Sequence, residues 1–125
     1  MRNVVDPLRV QYLGPVAKTG DTSDFCPSFE ISDGQQQVGV VVVKLSRTAE
    51  TVLRGRLDHV TQETIKERLP DALITCGQRR VEQRIREPGF LAKVRGGGEV
   101  TETVTASEEG TLAELADLIQ AGRTD

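Results

Sequence analysis

Arginine residues are concentrated in the middle of the chain, and they are the side chains best suited to recognise another molecule. Arg79, Arg80, Arg84 and Arg86 fall within a stretch of eight residues. On a helix, Arg80 and Arg84 are one turn apart and lie on the same side. A guanidinium group presents its N–H donors in a plane and pairs with carboxylates and phosphates through two parallel hydrogen bonds. The spacing therefore predicts a cationic face that binds an anionic partner.

Two more arginines extend this face, because Arg54 and Arg56 flank a glycine at the end of an earlier predicted helix. If the helices pack side by side, the guanidinium groups converge on one surface. The candidate partner-binding residues are then Arg54, Arg56, Arg79, Arg80, Arg84 and Arg86. A solvated helix face, partly neutralised by Glu82 and Glu87, is the alternative interpretation of the central cluster.

Charge is distributed unevenly along the chain, whose net charge is −3. Residues 44–95 carry 12 basic and 7 acidic side chains, whereas residues 96–125 carry 1 basic and 7 acidic side chains. The acidic segment 99–117 could dock on the arginine face of the same chain or of a second copy. An acidic protein or a nucleic acid would suit the cationic face, but a pI near 5.2 and 3% aromatic residues are atypical of nucleic-acid binders.

Residues able to do catalysis or bind metal are sparse. Asp58 precedes His59, and a carboxylate can orient an imidazole for proton transfer, but the spacing specifies no nucleophile. One histidine and two cysteines do not match the ligand set of a zinc site, so the sequence indicates neither a metal nor a cofactor. These residues favour a protein that is not an enzyme.

One long loop is predicted over residues 14–27, which are rich in glycine, proline, serine and threonine. Loops of this length are often functional. The loop contains Asp21, Asp24 and Cys26, so a small-ligand site or an active site built on it is a further hypothesis.

The length of 125 residues corresponds to one domain, predicted to span residues 1–125. Val, Leu, Ile and Phe make up 34 residues, enough for an aliphatic core.

The longest apolar run, Val40–Val43, is far too short to span a bilayer, and the first seven residues lack the apolar core of a signal peptide. Cys26 and Cys76 are far apart in sequence and are expected to be free thiols. Together these features predict a cytoplasmic protein without a membrane partner.

Alternating apolar residues predict a strand over residues 8–13. A hairpin follows, in which Asp33-Gly34 forms the turn and residues 37–45 form the second strand. Val40–Val43 is apolar on both faces, as in a central strand covered on both sides or by a partner chain. That second possibility motivates the hypothesis of a homodimer with a shared core.

Helices are predicted in the basic region, residues 47–87. The first covers residues 47–55, and the second begins after Thr61, a good N-cap residue. Residues 71–87 also favour a helix, although residues 72–76 could instead form a short buried strand.

The C-terminal third is predicted to contain a second hairpin and a helix. Residues 90–95 alternate in hydropathy, three glycines at 96–98 form the tip, and residues 99–106 return as a strand. Thr111 and Glu114 have the spacing of a capping box at the start of the last helix. The acidic part of this region covers residues 99–121. The apolar face of the last helix consists of Leu112, Leu115, Ala116 and Ile119.

The elements together predict an α+β fold, with a mostly antiparallel sheet built from two hairpins. Two or three central helices and a C-terminal helix pack on it.

The function that this sequence favours is a small non-enzymatic binding or regulatory module, such as an adaptor, an inhibitor or an accessory subunit. The alternatives are a homo-oligomeric structural domain and a small-ligand binder or enzyme that uses the loop.

Overall fold

The computed structural model describes residues 8–17, 20, 22–34, 36–97 and 99–121, which form a four-stranded mixed sheet and four helices. The strands are β1 (Leu8–Val16), β2 (Cys26–Asp33), β3 (Gln36–Leu45) and β4 (Glu99–Val104). The helices are α1 (Arg47–Arg56), α2 (Gln62–Arg84), α3 (Pro88–Gly97) and α4 (Glu109–Ala121). The sheet order is β1-β2-β3-β4. The predicted α+β fold with a C-terminal helix is confirmed.

The first three strands form an antiparallel meander, as the alternating residues predicted. The turn between β2 and β3 contains Gly34 at a φ of 66°, a conformation that glycine adopts without steric cost. Because β1 continues to Val16 and β2 begins at Cys26, the connection between them is shorter than the loop predicted over residues 14–27. Lys18, Thr19 and Asp21 lie outside the described residues.

Strand β3 is central, as its valine run predicted, since it pairs with β2 on one side and β4 on the other. Val41 and Val43 point towards the helices and belong to the main core. Val42 points to the opposite face, yet only 2% of it is exposed. The apolar side chains on both faces of β3 motivated the homodimer hypothesis. Most of them are buried within one chain.

The buried residues of all four helices join a single cluster with the helix-facing residues of the sheet. The helices thus cover one face, and the molecule has two layers. Within the described part of the chain, no helix combines the length and the apolar character needed to cross a bilayer.

Helices α1 and α2 begin at side-chain caps. The hydroxyl of Ser46 accepts a hydrogen bond from the N–H of Ala49 at 3.1 Å, and that of Thr61 accepts one from the N–H of Thr64 at 3.2 Å. Thr61 is therefore the N-cap of α2, as predicted. Helix α2 continues through Pro70 to Arg84, so the helical interpretation is confirmed for residues 71–84 and the strand at 72–76 is wrong. Residues 85–87 form the turn after the helix.

The predicted second hairpin is wrong, because residues 88–97 form α3 and β4 runs parallel to β3. Two adjacent parallel strands require a crossover connection, which a hairpin cannot supply. Phe90 and Val94, four residues apart, are buried on one side of α3. Pro88 occupies the first turn, where its missing N–H costs nothing. Gly96 and Gly97 end the helix instead of forming a hairpin tip, and Gly98 lies outside the described residues.

The start of α4 also differs from the prediction, because the helix begins at Glu109 and Thr111 is already inside it. Glu108 takes the reciprocal role expected of the capping box, since its carboxylate accepts a hydrogen bond from the N–H of Thr105 at 3.1 Å. The four predicted apolar residues of α4 are all buried, as expected. At the other end, Arg68 of α2 donates a hydrogen bond to the carbonyl of Ile119 at 2.9 Å and satisfies the helix C-terminus.

Candidate partner-binding site

The C-terminal half of α2 carries three arginines that meet carboxylates from β4 and from the region of α4. The Nε atoms of Arg80 and Arg84 both donate to Oε1 of Glu102, at 2.9 Å and 3.0 Å. Arg80 also donates to both carboxylate oxygens of Glu108. These contacts join three separate elements, so the arginine pair holds β4 and the start of α4 against α2.

Glu102 is the buried centre of this network, because only 8% of its side chain is exposed. Exposed and buried positions alternate along β4, and Glu102 is at a buried position, on the helix-facing side between Val100 and Val104. A carboxylate at such a position is unfavourable unless it is paired and hydrogen-bonded. Burial alone would lower the pKa of the Arg80 guanidinium group, but its hydrogen bonds to Glu108 and Glu102 raise the pKa. The pKa of the Arg84 guanidinium group is raised, first by its hydrogen bond to Glu102 and then by the charge of that carboxylate.

Glu108 makes the network sensitive to acid. Partial burial alone would raise the pKa of this carboxyl group, but hydrogen bonds from Arg80 and from the N–H of Thr105 outweigh burial and lower the pKa. A carboxyl group with a lower pKa in the folded state stabilises the fold above its unfolded-state pKa, and this contribution is lost as the pH falls through the folded-state value.

We expect the acid limb of the stability profile to change in the variant Glu108→Gln. Wild-type stability should fall as the pH drops below about 4.5, the ordinary pKa of a glutamate side chain, and the variant should show a shallower fall because Gln does not titrate. Urea unfolding followed by circular dichroism from pH 7 to pH 3 measures this difference. Glu109→Gln is the matched control, since Glu109 is 83% exposed, and an identical flattening in both variants would contradict the prediction.

Three of the other predicted arginines are also near carboxylates. Arg54 donates to Glu50 from Nε and Nη2, at 3.1 Å and 2.9 Å, and to the side chain of Gln62 from Nη1. Arg79 pairs with Glu114 of α4. Arg56 lies 3.8 Å from the carboxylate of Glu109 in a loose, exposed pair.

The acidic C-terminal segment therefore docks on the arginines of its own chain, which was one of the two arrangements that the charge distribution suggested. A cleft of about 480 Å³ remains between the ends of α2 and α4. The guanidinium groups of Arg80 and Arg84 line this cleft. They pair with three carboxylates, which belong to Glu87, Glu102 and Glu108. These pairs hold α2 against β4 and the start of α4, and they occupy every donor nitrogen of Arg80.

The arginines differ in how many of their N–H donors are left without a hydrogen-bond partner among the described residues. All hydrogen-bonding nitrogens of Arg54 and Arg80 have partners. Arg84 uses Nε and Nη1, and no contact with a described residue occupies its Nη2. Arg86 is exposed and makes no ion pair with the described part of the chain. The predicted set is therefore divided between structural contacts on α1 and mid-α2 and accessible donors at the end of α2.

Two cations that sequence reasoning placed on a strand lie on α3. Lys93 and Arg95 are exposed, and neither forms an ion pair with any residue that the structure describes. With Arg84 and Arg86 they belong to a continuous segment, residues 84–95, which we term the basic corner. The segment contains one carboxylate, Glu87, and its last cation, Arg95, lines a cleft with Asp33 of β2. Pro88 and the four-residue spacing of the buried apolar residues on α3 were the sequence signals that could have revealed this helix.

Of the loop residues in the ligand hypothesis, the structure describes Asp24 and Cys26, which lie in different surroundings. Cys26 is fully buried in β2, where its thiol donates to the carbonyl of Ser23 at 3.7 Å. His59 lies in the exposed turn after α1, 3.6 Å from its neighbour Asp58. Asp24 lines a cleft between the loop and two helices. The structure thus brings the loop, through Asp24, to a cleft that does not include His59.

Both thiols are expected to be unreactive in the folded protein. Cys76 is 6% exposed, and burial, followed by the nearby Glu114 carboxylate, raises the pKa of its thiol to about 12. The thiolate is the reactive species, so Ellman's reagent at pH 8 should modify less than a tenth of either thiol, on the order of the few per cent that transient opening exposes. Addition of 6 M guanidinium chloride, an ordinary denaturing concentration, should release both. Rapid modification of Cys76 without denaturant would contradict the expectation.

Comparisons of this chain with protein-family models, with curated proteins and with solved structures each give no match. The arguments for function therefore come from the residues and their geometry.

Proposed function

We propose that this domain is a non-enzymatic binding module that contacts an acidic protein surface through the basic corner, Arg84, Arg86, Lys93 and Arg95. The observation that carries the proposal is the contrast in charge pairing: Arg54, Arg79 and Arg80 are held by carboxylates of the same chain, whereas Arg86, Lys93 and Arg95 are exposed and make no ion pair with a described residue. Such cations attract an anionic partner and supply donors that the fold does not consume.

An acidic protein suits this corner better than a nucleic acid does. Phe90, the one aromatic side chain within the basic corner, is buried, so base stacking has no exposed platform beside these cations. The chain also has a net charge of −3, which opposes a partner as densely charged as duplex DNA. A regulatory or adaptor role in a reducing, cytoplasmic compartment accords with two buried thiols that are not bonded to each other.

The test uses poly-L-glutamate immobilised on a biosensor as a model acidic partner, with duplex DNA as the competing probe. We expect poly-glutamate binding that weakens steeply as the salt concentration rises from 25 to 150 mM, about the range over which screening removes long-range attraction. Arg86→Gln with Lys93→Gln should weaken binding about five- to tenfold, as the loss of two accessible charge contacts implies.

The matched control is Arg9→Gln with Gln11→Glu, which changes the net charge by the same amount at two exposed positions of β1. The control should alter binding less than about twofold, because its charges are outside the proposed contact. Equal losses in both double variants would show an effect of net charge alone and would refute the assignment of the corner. Tighter binding to DNA than to poly-glutamate would favour a nucleic-acid partner instead.

The homodimer stays a prediction of the sequence, and two features of the sheet edges bear on it. Edge strand β1 has an irregular register between Tyr12 and Gly14 and contains Pro15. Edge strand β4 carries Glu102, an inward-pointing charge. Irregular registers, proline and inward charges discourage strand-to-strand pairing between molecules. Light scattering at micromolar protein concentration measures the oligomeric state directly.

A further inference from the structure

A cleft of about 270 Å³ lies between the loop before β2 and helices α1 and α2. Phe25 lines it from the loop, and Leu69 and Pro70 line it from α2. Leu69 is mostly buried, whereas Phe25 and Pro70 are half-exposed. These three side chains form an apolar surface that is open to solvent, and the volume suits a ligand at the small end of the range for small-molecule pockets.

Pro70 interrupts the backbone hydrogen bonding of α2 beside the cleft. Proline has no N–H, so the carbonyl of Lys66, one turn earlier, cannot receive its usual helical hydrogen bond from residue 70. The pyrrolidine ring also crowds that carbonyl. Lys66 and Pro70 both line the cleft, so the interruption of the helix lies in its wall.

The polar groups of the cleft differ in how they are paired. Glu50 and Arg54 form a hydrogen-bonded ion pair within α1, at 2.9 Å, so their charges compensate each other. Lys66 is exposed and makes no hydrogen bond or ion pair with any residue that the structure describes. Asp24 completes the rim. The ammonium group of Lys66 is therefore the cation left to meet a ligand beside the apolar surface.

We infer that this cleft binds a small amphipathic carboxylate, whose aromatic or aliphatic body lies on Phe25, Leu69 and Pro70 and whose carboxylate pairs with Lys66. The apolar body contributes most of the affinity, since the pair between Lys66 and the ligand is partly solvated. This site is distinct from the basic corner, so the two proposals can fail independently.

The experiment is a titration of the ¹⁵N-labelled full chain with 3-phenylpropionate, followed by two-dimensional NMR. The neutral isostere 3-phenylpropanol and the cation 3-phenylpropylamine are titrated in parallel. We expect saturable shifts confined to the amides around Phe25 and residues 66–71, with dissociation constants in about the millimolar range for ligands of this size. The carboxylate should bind about two- to fivefold more tightly than the alcohol, as one exposed charge pair implies.

Two variants separate the contributions. Lys66→Gln should abolish the preference for the carboxylate and leave the affinity for the alcohol unchanged. Pro70→Ala, which favours the helix and so keeps the fold, should weaken binding of both probes because it removes part of the apolar wall. The control Arg9→Gln should change neither affinity. The spectra themselves report whether each variant is folded.

Three results would overturn the inference. The first is the lack of a saturable shift at the cleft with 3-phenylpropionate, and the second is shifts centred on another part of the sheet or helices. The third is tightest binding of the amine, which would assign the polar contact to Asp24 or Glu50 instead of Lys66. None of these results bears on poly-glutamate binding at the basic corner.

Discussion

Glu102→Gln is expected to lower the free energy of unfolding by about 2–3 kcal/mol, the largest effect we anticipate for a single polar substitution. The wild-type carboxylate accepts hydrogen bonds from Arg80 and Arg84, and it is almost completely buried. The Gln amide keeps the shape but removes the negative charge and can turn an NH₂ group towards two cations. The two guanidinium groups then lose their shared buried partner, and the carboxylates of Glu108 and Glu87 alone remain to compensate them.

The matched control is Glu87→Gln, which removes the other carboxylate that pairs with Arg84. Glu87 is 56% exposed, and a solvent-exposed pair of this kind contributes less than about 1 kcal/mol. Urea unfolding followed by circular dichroism at pH 7 measures both variants. Equal and small losses would mean that the network does not hold β4 against α2.

The second large effect is expected at Gly77, where alanine should destabilise the fold by about 2 kcal/mol even though it is a better helix former. A Cβ atom at this position would lie 2.8 Å from Cε1 and 2.9 Å from Cζ of Phe29. Phe29 is fully buried and packs against Tyr12, with the ring centroids 5.7 Å apart, so its ring has little room to move. Overpacking of this kind typically costs about 1–3 kcal/mol.

Gly55→Ala is the control, because Gly55 is also helical but a Cβ atom added to it would have no neighbour within 4 Å. That variant should gain up to about 1 kcal/mol from helix propensity alone. Opposite signs in the two variants, measured by urea unfolding, would establish close packing of α2 on β2. In the double variant Gly77→Ala with Phe29→Leu, the loss should be smaller than the sum of the single losses, since the smaller side chain relieves the contact. If Gly77→Ala alone stabilised the fold, the Phe29 ring would have moved aside, and the prediction of overpacking would be wrong.

The arginines therefore have two roles that experiments can separate. Substitutions at Arg80 or Glu102 should reduce stability, because these side chains join α2 to β4 and α4. Substitutions at Arg86 or Lys93 should leave stability within about 0.5 kcal/mol of wild type, since both are exposed and make no ion pair with the described residues. Their effect should appear only in binding to an anionic partner.

Much of the fold follows from local patterns in the sequence. The alternation of apolar residues in β1 and β2 identified these two strands, because each strand has one face on the helices. The valines of β3 indicated a central position, since apolar residues on both faces need cover. Thr61 identified the start of α2 because a threonine hydroxyl satisfies an N–H that the helix leaves free. Patterns of this kind depend on near neighbours and can be recognised without the tertiary structure.

The sequence alone determined that cations accumulate in the middle of the chain and carboxylates near its end. Only the tertiary structure decided which charges meet, because the partners of Arg80 are 22 and 28 residues away, at Glu102 and Glu108. Hydropathy along residues 90–95 was compatible with a strand, and the parallel pairing of β4 with β3 decided in favour of a helix. Between two parallel strands, a crossover must return the chain to the end of the sheet where the first strand began. The hydropathy of neighbouring residues does not reveal that requirement.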